Sequence, residues 1–242
     1  MKVLITGSKG ALGRSLRGIF KGAFCPVHEK MDITDADSVE RAILSYKPEA
    51  LIHAAALVGI RECEDNKQKA WLTNVEGTQN IVNALKKLNN NCYLLYISTA
   101  CVFAGENKKY YTEDDVPAPK NYYSVTKLCG EIVTRQYKNN CIIRTNFVPK
   151  KQWKYPKAFI DRFGTYLFTE QAAKGIFDVC KKKEKGIIHI AGDKRMSMYE
   201  LVLLAGSKNV GKMTLGEYQG PPLTIDMSLS TKRWKKYKIS SQ

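Results

Sequence analysis

Acidic side chains are scarce in this chain of 242 residues: 23 Asp and Glu stand against 39 Lys and Arg, a formal net charge of +16. An excess of that size points to an anionic partner. The lysines, however, fall in small groups, at 86–87, 108–109, 150–151, 181–183 and 235–236, without the interleaved aromatics of a base-stacking surface. A small anion such as a nucleotide diphosphate fits that distribution better than nucleic acid does. Long apolar runs are missing as well. No stretch reaches 18 consecutive apolar residues, which excludes an ordinary membrane-spanning helix, and MKVLIT runs into glycine without the apolar core of a secretory signal. A soluble, cytoplasmic protein is the expectation. Histidine occurs only three times, at His28, His53 and His189, and the seven cysteines include no C-x-x-C pair. With no acidic cluster in the tail either, neither a bound metal nor a disulfide framework is expected.

What is present is an ordinary hydrophobic content of 44%, enough for one sizeable α/β domain with a smaller lobe. Apolar runs at 2–6, 23–28, 50–55, 92–98 and 141–146 alternate with helical patterns at 11–21, 36–46, 66–88 and 122–138. The runs are too apolar to have a solvated face, so they predict a doubly wound parallel sheet covered on both sides. Beyond 147 a Lys, Trp and Pro-rich connection leads to a helix at 168–182, a strand at 186–192 and a helix at 198–207. We therefore read residues 1–148 as the sheet domain. Residues 149–242 are read as a small lobe, interleaved with the sheet edge, that cannot bury a core alone.

ITGSKGALGRSL places Gly7, Gly10 and Gly13 directly after the first strand and at the start of a helix. Glycines there let the backbone turn tightly and approach a pyrophosphate, whose charge the helix N-terminus favours. This makes the sheet domain Rossmann-type, with Ser8, Lys9, Ala11 and Leu12 in the same cofactor cradle. Further on, NYYSVTKLCGE at 121–131 puts Tyr123 four residues before Lys127, on one face of a helix. With 13 tyrosines and many lysines in the chain, the spacing alone carries little. Its surroundings decide its worth.

The spacing G-x-x-G-x-x-G resembles that of the extended short-chain dehydrogenase/reductase family, and the likeness continues along the chain. MDITD at 31–35 is similar to the family segment that meets adenine, which implies Asp32 and Ile33 as cofactor contacts. HAAA at 53–56 resembles the end of its third strand, implying close approach of the cofactor at Ala54, Ala55 and Ala56. TNVEGTQNIVNAL from 73 looks like its central helix, and YISTACVFAG at 96–105 like its catalytic strand end, where Thr99 takes the hydroxyl position. NYYSVTKLCGE then matches the pattern N-x-Y-x-x-[ST]-K-L-x-G-E. The resemblance implies a catalytic set of Thr99, Tyr123 and Lys127 above the carboxyl ends of the strands. In that set Tyr123 donates a proton, and Lys127 lowers the phenol's pKa and bonds the nicotinamide ribose. Val102, Phe103, Asn146 and Phe147 would meet the substrate.

Within the family, IIRTNFV (142–148), DRFGTYLFTEQAAKGIFDV (161–179), GIIHIAGDKRMSMYEL (186–201) and DMSLSTKRW (226–234) resemble the substrate lobe of the dTDP-4-dehydrorhamnose reductase group. This implies an NAD(P)-dependent reductase of a 4-keto-6-deoxy nucleotide sugar. Two departures lie where the sugar should sit: Ala100 and Cys101 replace a frequent Asp-Tyr pair, and the segment 149–162 is short. A nucleotide-sugar 4-epimerase or dehydratase and a non-catalytic cofactor-binding regulatory subunit are the competing readings. NADP is the expected cofactor and NAD the alternative, because Lys9, Arg14 and Lys30 outnumber Glu29 around the expected ribose 2′ position. Monomer and homodimer are both open.

Overall fold

The computed structural model describes residues 1–106 and 110–240, so Lys108 and Lys109 lie outside the described residues. Its centre is a parallel sheet of β1 (Val3–Thr6), β2 (Ala50–His53), β3 (Tyr93–Thr99), β4 (Asn140–Thr145) and β5 (Gly186–Ile190), side by side in that order. Every residue of β1, β2 and β3 is buried, as a sheet covered on both faces requires. The run 23–28 does not become a full strand. It contributes a single bridge, Phe24 to Leu4, because Pro26 has no N–H to extend the ladder.

The helices in chain order are α1 (Ala11–Ile19), α2 (Ala36–Tyr46), α3 (Ile60–Asp65) and α4 (Lys67–Trp71). They are followed by α5 (Gly77–Leu88), α6 (Tyr122–Thr134), α7 (Thr169–Lys182) and α8 (Met198–Leu204). Strand alternation sends Ile5, Ile52 and Leu95 to one face, against Leu16 of α1 and Ile176 of α7. Leu4, Leu51 and Leu94 go to the other, against Ile43 of α2, Leu85 of α5 and Val133 of α6. A further apolar cluster joins Ala100–Phe103, just after β3, to Tyr166, Met196, Leu201 and Met227, so side chains from both halves of the chain share it.

The helix expected over 66–88 is broken. Between α4 and α5 the chain widens into a π-type turn at Leu72–Glu76. The bulge carries Asn74 inward, where its amide accepts from Leu57 N at 2.8 Å and donates to Leu57 O at 3.0 Å and to Thr126 Oγ1 at 2.9 Å. Helix α3, also unanticipated, precedes it.

The chain leaves β1 toward Phe24 on one side and returns through α2 to β2 on the other. At such a reversal a crevice opens beyond the carboxyl ends of the strands, which is where open α/β sheets bind ligands. His53, the last residue of β2, is buried at those strand ends. Thr78 Oγ1 donates to Asn74 O at 2.7 Å and so accepts from His53 Nε2 at 3.1 Å; Nδ1 therefore accepts from Thr6 Oγ1 at 2.8 Å. The ring is neutral, and burial, aided by the Lys127 charge, pushes its pKa down to about 3. The unfolded chain thus protonates first, near pH 6.5. Stability contributed by neutral His53 is whole above that pH and is lost as the pH falls toward the folded value. His53→Gln is expected to flatten the acid slope of urea stability between about pH 6 and pH 4 by roughly 1.4 kcal/mol per unit. Parallel slopes in parent and variant would show that His53 does not titrate on unfolding.

Candidate active site

A cleft of about 890 Å³ occupies the crevice, and its walls include Gly7, Gly10, Ala11, Leu12 and Gly13, then Asp32 and Ile33, then Ala54, Ala55 and Ala56, and finally Tyr123, Lys127 and Phe147. Residues expected from distant parts of the sequence therefore meet in one cavity. Ser8 and Lys9 line a smaller adjoining cavity of about 200 Å³ at its outer end, together with Pro26, Val27 and His28. The cradle is formed by close backbone approach. Gly7 has φ of +69°, and a Cβ there would lie 2.6 Å from Ala55 N, so only glycine lets the turns after β1 and β2 touch.

Gly10 is the N-cap of α1, with no side chain capping the first turn and no acidic residue in it. The first N–H groups of α1 have no intrahelical acceptor, and the positive end of the helix dipole faces the cleft. A dinucleotide pyrophosphate fits that donor set. Asp32 is held by Thr34, whose N and Oγ1 donate to Oδ1 at 2.9 and 2.8 Å, while Oδ2 stands 3.5 Å from His28 Nε2.

The start of α6 is fixed from three sides. Asn121 caps it, accepting from Ser124 N at 2.9 Å, and Glu64 of α3 accepts from Tyr122 N at 2.7 Å. Thr126 Oγ1 donates to Tyr123 O at 2.8 Å and accepts from Asn74. This places Tyr123 and Lys127 on consecutive turns facing the cleft. Gly130 explains the rest of the motif. A Cβ there would lie 2.1 Å from Tyr96 Oη, so its absence lets the Tyr96 ring slide under Lys127, whose Nζ is 4.1 Å from the ring centroid.

Burial lowers the Lys127 amine to about 7, with the Glu131 carboxylate opposing. Tyr123 differs from expectation. Burial pushes its phenol well above the ordinary value, the Cys101 thiol adds to the rise, and a hydrogen bond from Thr99 offsets it only in part. Tyr123 is therefore a proton-bearing phenol at neutral pH. Thr99, buried at the end of β3, accepts from Cys101 N at 3.1 Å and so has its own proton free for Tyr123.

With this geometry in hand, the comparison with known proteins is decisive: the model of the RmlD substrate binding domain family matches residues 1–158. The chain belongs to the RmlD substrate binding domain family. A dTDP-4-dehydrorhamnose reductase from Aggregatibacter actinomycetemcomitans is 27% identical over 241 residues, covering 88% of this chain and 81% of that one. Methionine adenosyltransferase 2 subunit beta from Xenopus tropicalis is 29% identical over 241 residues, covering 83% and 70%. The structure of a dTDP-4-dehydrorhamnose reductase from Clostridium acetobutylicum matches with a TM-score of 0.87 at 26% identity, covering 95% of this chain and 90% of that one. The resemblance drawn from the motifs and the Rossmann-type sheet both hold.

On the substrate side of this RmlD-family cleft, the expected residues divide. Phe147 lines the cavity. Val102 and Phe103 do not: both side chains are fully buried in the apolar cluster, and Phe103 stacks on Tyr111 with ring centroids 4.3 Å apart. Their apolarity explains this, since turning them to the cleft would expose them. Asn146 Nδ2 is 3.7 Å from the Met227 thioether. Ala100 and Cys101, the departures from the group pattern, are buried beside the same sulfur, with Cys101 Sγ 3.2 Å from Met227 Sδ. A separate cavity of about 270 Å³ lies between the segment 148–155 and α8, lined by Trp153, Tyr155, Lys151 and Lys154 among others.

Several cleft residues escaped the sequence reading. His28, Val58, Gln68, Lys69 and Thr73 line the cavity, and Glu29 and Lys30 are exposed and line neither cavity. Tyr96 lies inside a quoted motif, but nothing in its spacing signals contact with Lys127.

Proposed function

We propose that this RmlD-family protein is an NAD(P)-dependent reductase of a 4-keto-6-deoxy nucleotide sugar. The observation that carries the reading is the meeting of Tyr123 and Lys127 with the glycine cradle along one cleft. Bound cofactor supplies the hydride. As the C4 carbonyl oxygen gathers negative charge, Thr99 orients it and Tyr123, still holding its proton at neutral pH, delivers that proton. Lys127 then supplies the countercharge for the phenolate. Trp153 and Tyr155, packed edge to face with centroids 5.2 Å apart, and the lysines beside them suit the aromatic base and diphosphate of the nucleotide. The test is a panel of nucleotide-linked 4-keto sugars with NADPH or NADH, following loss of the reduced nicotinamide. Consumption with one of them is expected; tightly retained NAD and no net consumption would favour a 4-epimerase instead. The likeness to methionine adenosyltransferase 2 subunit beta supports a second reading, a cofactor-binding regulatory subunit, which binds nucleotide without turnover.

The proposed preference is for NADPH. Among the described residues lining the outer cavity, Lys9 and His28 are the only ionisable side chains and no carboxylate is present. A ribose 2′-phosphate wants cations there, whereas a free 2′-hydroxyl wants a carboxylate. Arg14 lines neither cavity, and its Nη1 donates to Lys9 O at 2.5 Å. Lys9→Ala is expected to lower the ratio of kcat/KM for NADPH over NADH by about 10-fold or more. A parent ratio near one, or a ratio untouched by the mutation, overturns the assignment.

A further inference from the structure

A fully buried ion pair lies beneath the catalytic pair. Arg144 of β4 grips Glu131 of α6 twice, Nε to Oε1 at 2.9 Å and Nη2 to Oε2 at 2.7 Å, with side chains 1% and 0% exposed. Ser98 Oγ adds a bond to Oε1 at 2.6 Å. Apolar side chains of similar volume would close this helix–sheet contact at least as well, because burying two charges costs more in lost hydration than a simple packing role can justify. The pair also reaches the cleft twice. Ser98 lines it, and so does Lys127, four residues before Glu131 on the same helix face.

We propose that Glu131, clamped by Arg144 and Ser98, is a positioning residue that keeps the Lys127 ammonium charged in the cleft. The groups around Lys127 leave that task to it. From β3 comes the Tyr96 ring, from β2 the neutral His53, from the π-type turn and α5 the uncharged Asn74 and Thr78, and from α6 itself the phenol of Tyr123. Arg144 faces Glu131, and Arg135 approaches the same carboxylate at 4.0 Å from its exposed side. Burial alone would discharge the amine, and Glu131 opposes it. Arg144 in turn fixes the buried Glu131 carboxylate with two charge-assisted hydrogen bonds. The chain of influence therefore runs from β4 through α6 to the amine. Its value to the reaction rests on the reading of Lys127 as countercharge to Tyr123, but the influence of Glu131 on the amine can be measured without turnover.

The experiment is an NMR titration of the Lys127 side chain in full-length protein carrying ¹³C-lysine, the signal assigned by its loss in Lys127→Arg. The parent midpoint is expected at about 7. In Glu131→Gln it should fall by about one unit or more. Glu131→Gln leaves Arg144 uncompensated and can unfold, so the double variant Glu131→Gln, Arg144→Met, which removes both charges, is measured alongside and should show the same fall. Glu131→Asp should restore part of it. With an active substrate, the alkaline limb of kcat/KM should move with the midpoint. A midpoint unchanged in both variants makes Glu131 a core ion pair and overturns the proposal. A shifted midpoint in a protein that reduces no 4-keto sugar upholds it and sinks the reductase reading instead.

Discussion

Replacing Tyr123 by Phe is expected to lower kcat by about 10²-fold or more while fold and cofactor affinity survive. Only a hydroxyl is removed. The ring keeps its packing against the cluster that joins the two halves of the chain, and α6 keeps its caps at Asn121 and Glu64. The glycine cradle at the opposite end of the cleft is untouched. What disappears is the proton that burial holds on the phenol and that Thr99 helps to orient. Near-normal turnover in this variant would mean that another group or water delivers the proton, and the catalytic assignment would go with it.

Gly10→Val is expected to cost about 100-fold or more in cofactor affinity, roughly 2.7 kcal/mol, in a chain that still folds. The three glycines of the loop differ in what a side chain would meet. At Gly13 a Cβ would lie 2.2 Å from Gly7 O and 2.6 Å from Ser8 Cα, and at Gly7 it would lie 2.6 Å from Ala55 N, so substitution there deforms the turn itself. At Gly10 the sole close neighbour is Gly7 O at 3.2 Å. A valine there needs only a small local adjustment in the free protein, yet it fills the space where the backbone should approach a pyrophosphate. Calorimetric titration with NADP⁺, with thermal unfolding as the control on folding, separates the two effects. Undiminished affinity would reduce the loop to a turn with no cofactor role.

The sheet was legible because its strands are continuous apolar runs, and the Tyr123–Lys127 pair because one helical turn has a fixed length. The run 23–28 misled for a specific reason. Its apolarity says nothing about the hydrogen that Pro26 lacks. At the same strand end, which of His28, Glu29 and Lys30 faces the cleft depends on the path of an irregular segment, and the cleft receives His28. The π-type turn was hidden because the helical pattern of 66–88 continues through it, and only the inward pull of Asn74 reveals it. Val102 and Phe103 carried a role by likeness alone, while their burial follows from packing against Tyr111 and Tyr166. The state of Lys127 lay furthest from the sequence, since it depends on its burial over Tyr96 and on Glu131, brought together from a strand and its own helix.

If the cleft transfers a hydride from a nicotinamide to a sugar ketone, a deuterium placed on the cofactor follows it into the product. Deuterium tracing tests that transfer most directly. A nucleotide-linked 4-keto-6-deoxy sugar is incubated with NADPH deuterated at C4 of the nicotinamide, on either face, and the product is analysed by mass spectrometry and NMR. One deuterium per molecule of reduced sugar is expected at C4 from the cofactor labelled on one face and none from the cofactor labelled on the other, with one cofactor oxidised for each sugar reduced. Sugar left unreduced by a protein that demonstrably binds both cofactor and nucleotide sugar, or product reduced at C4 that takes deuterium from neither labelled cofactor, would contradict that transfer.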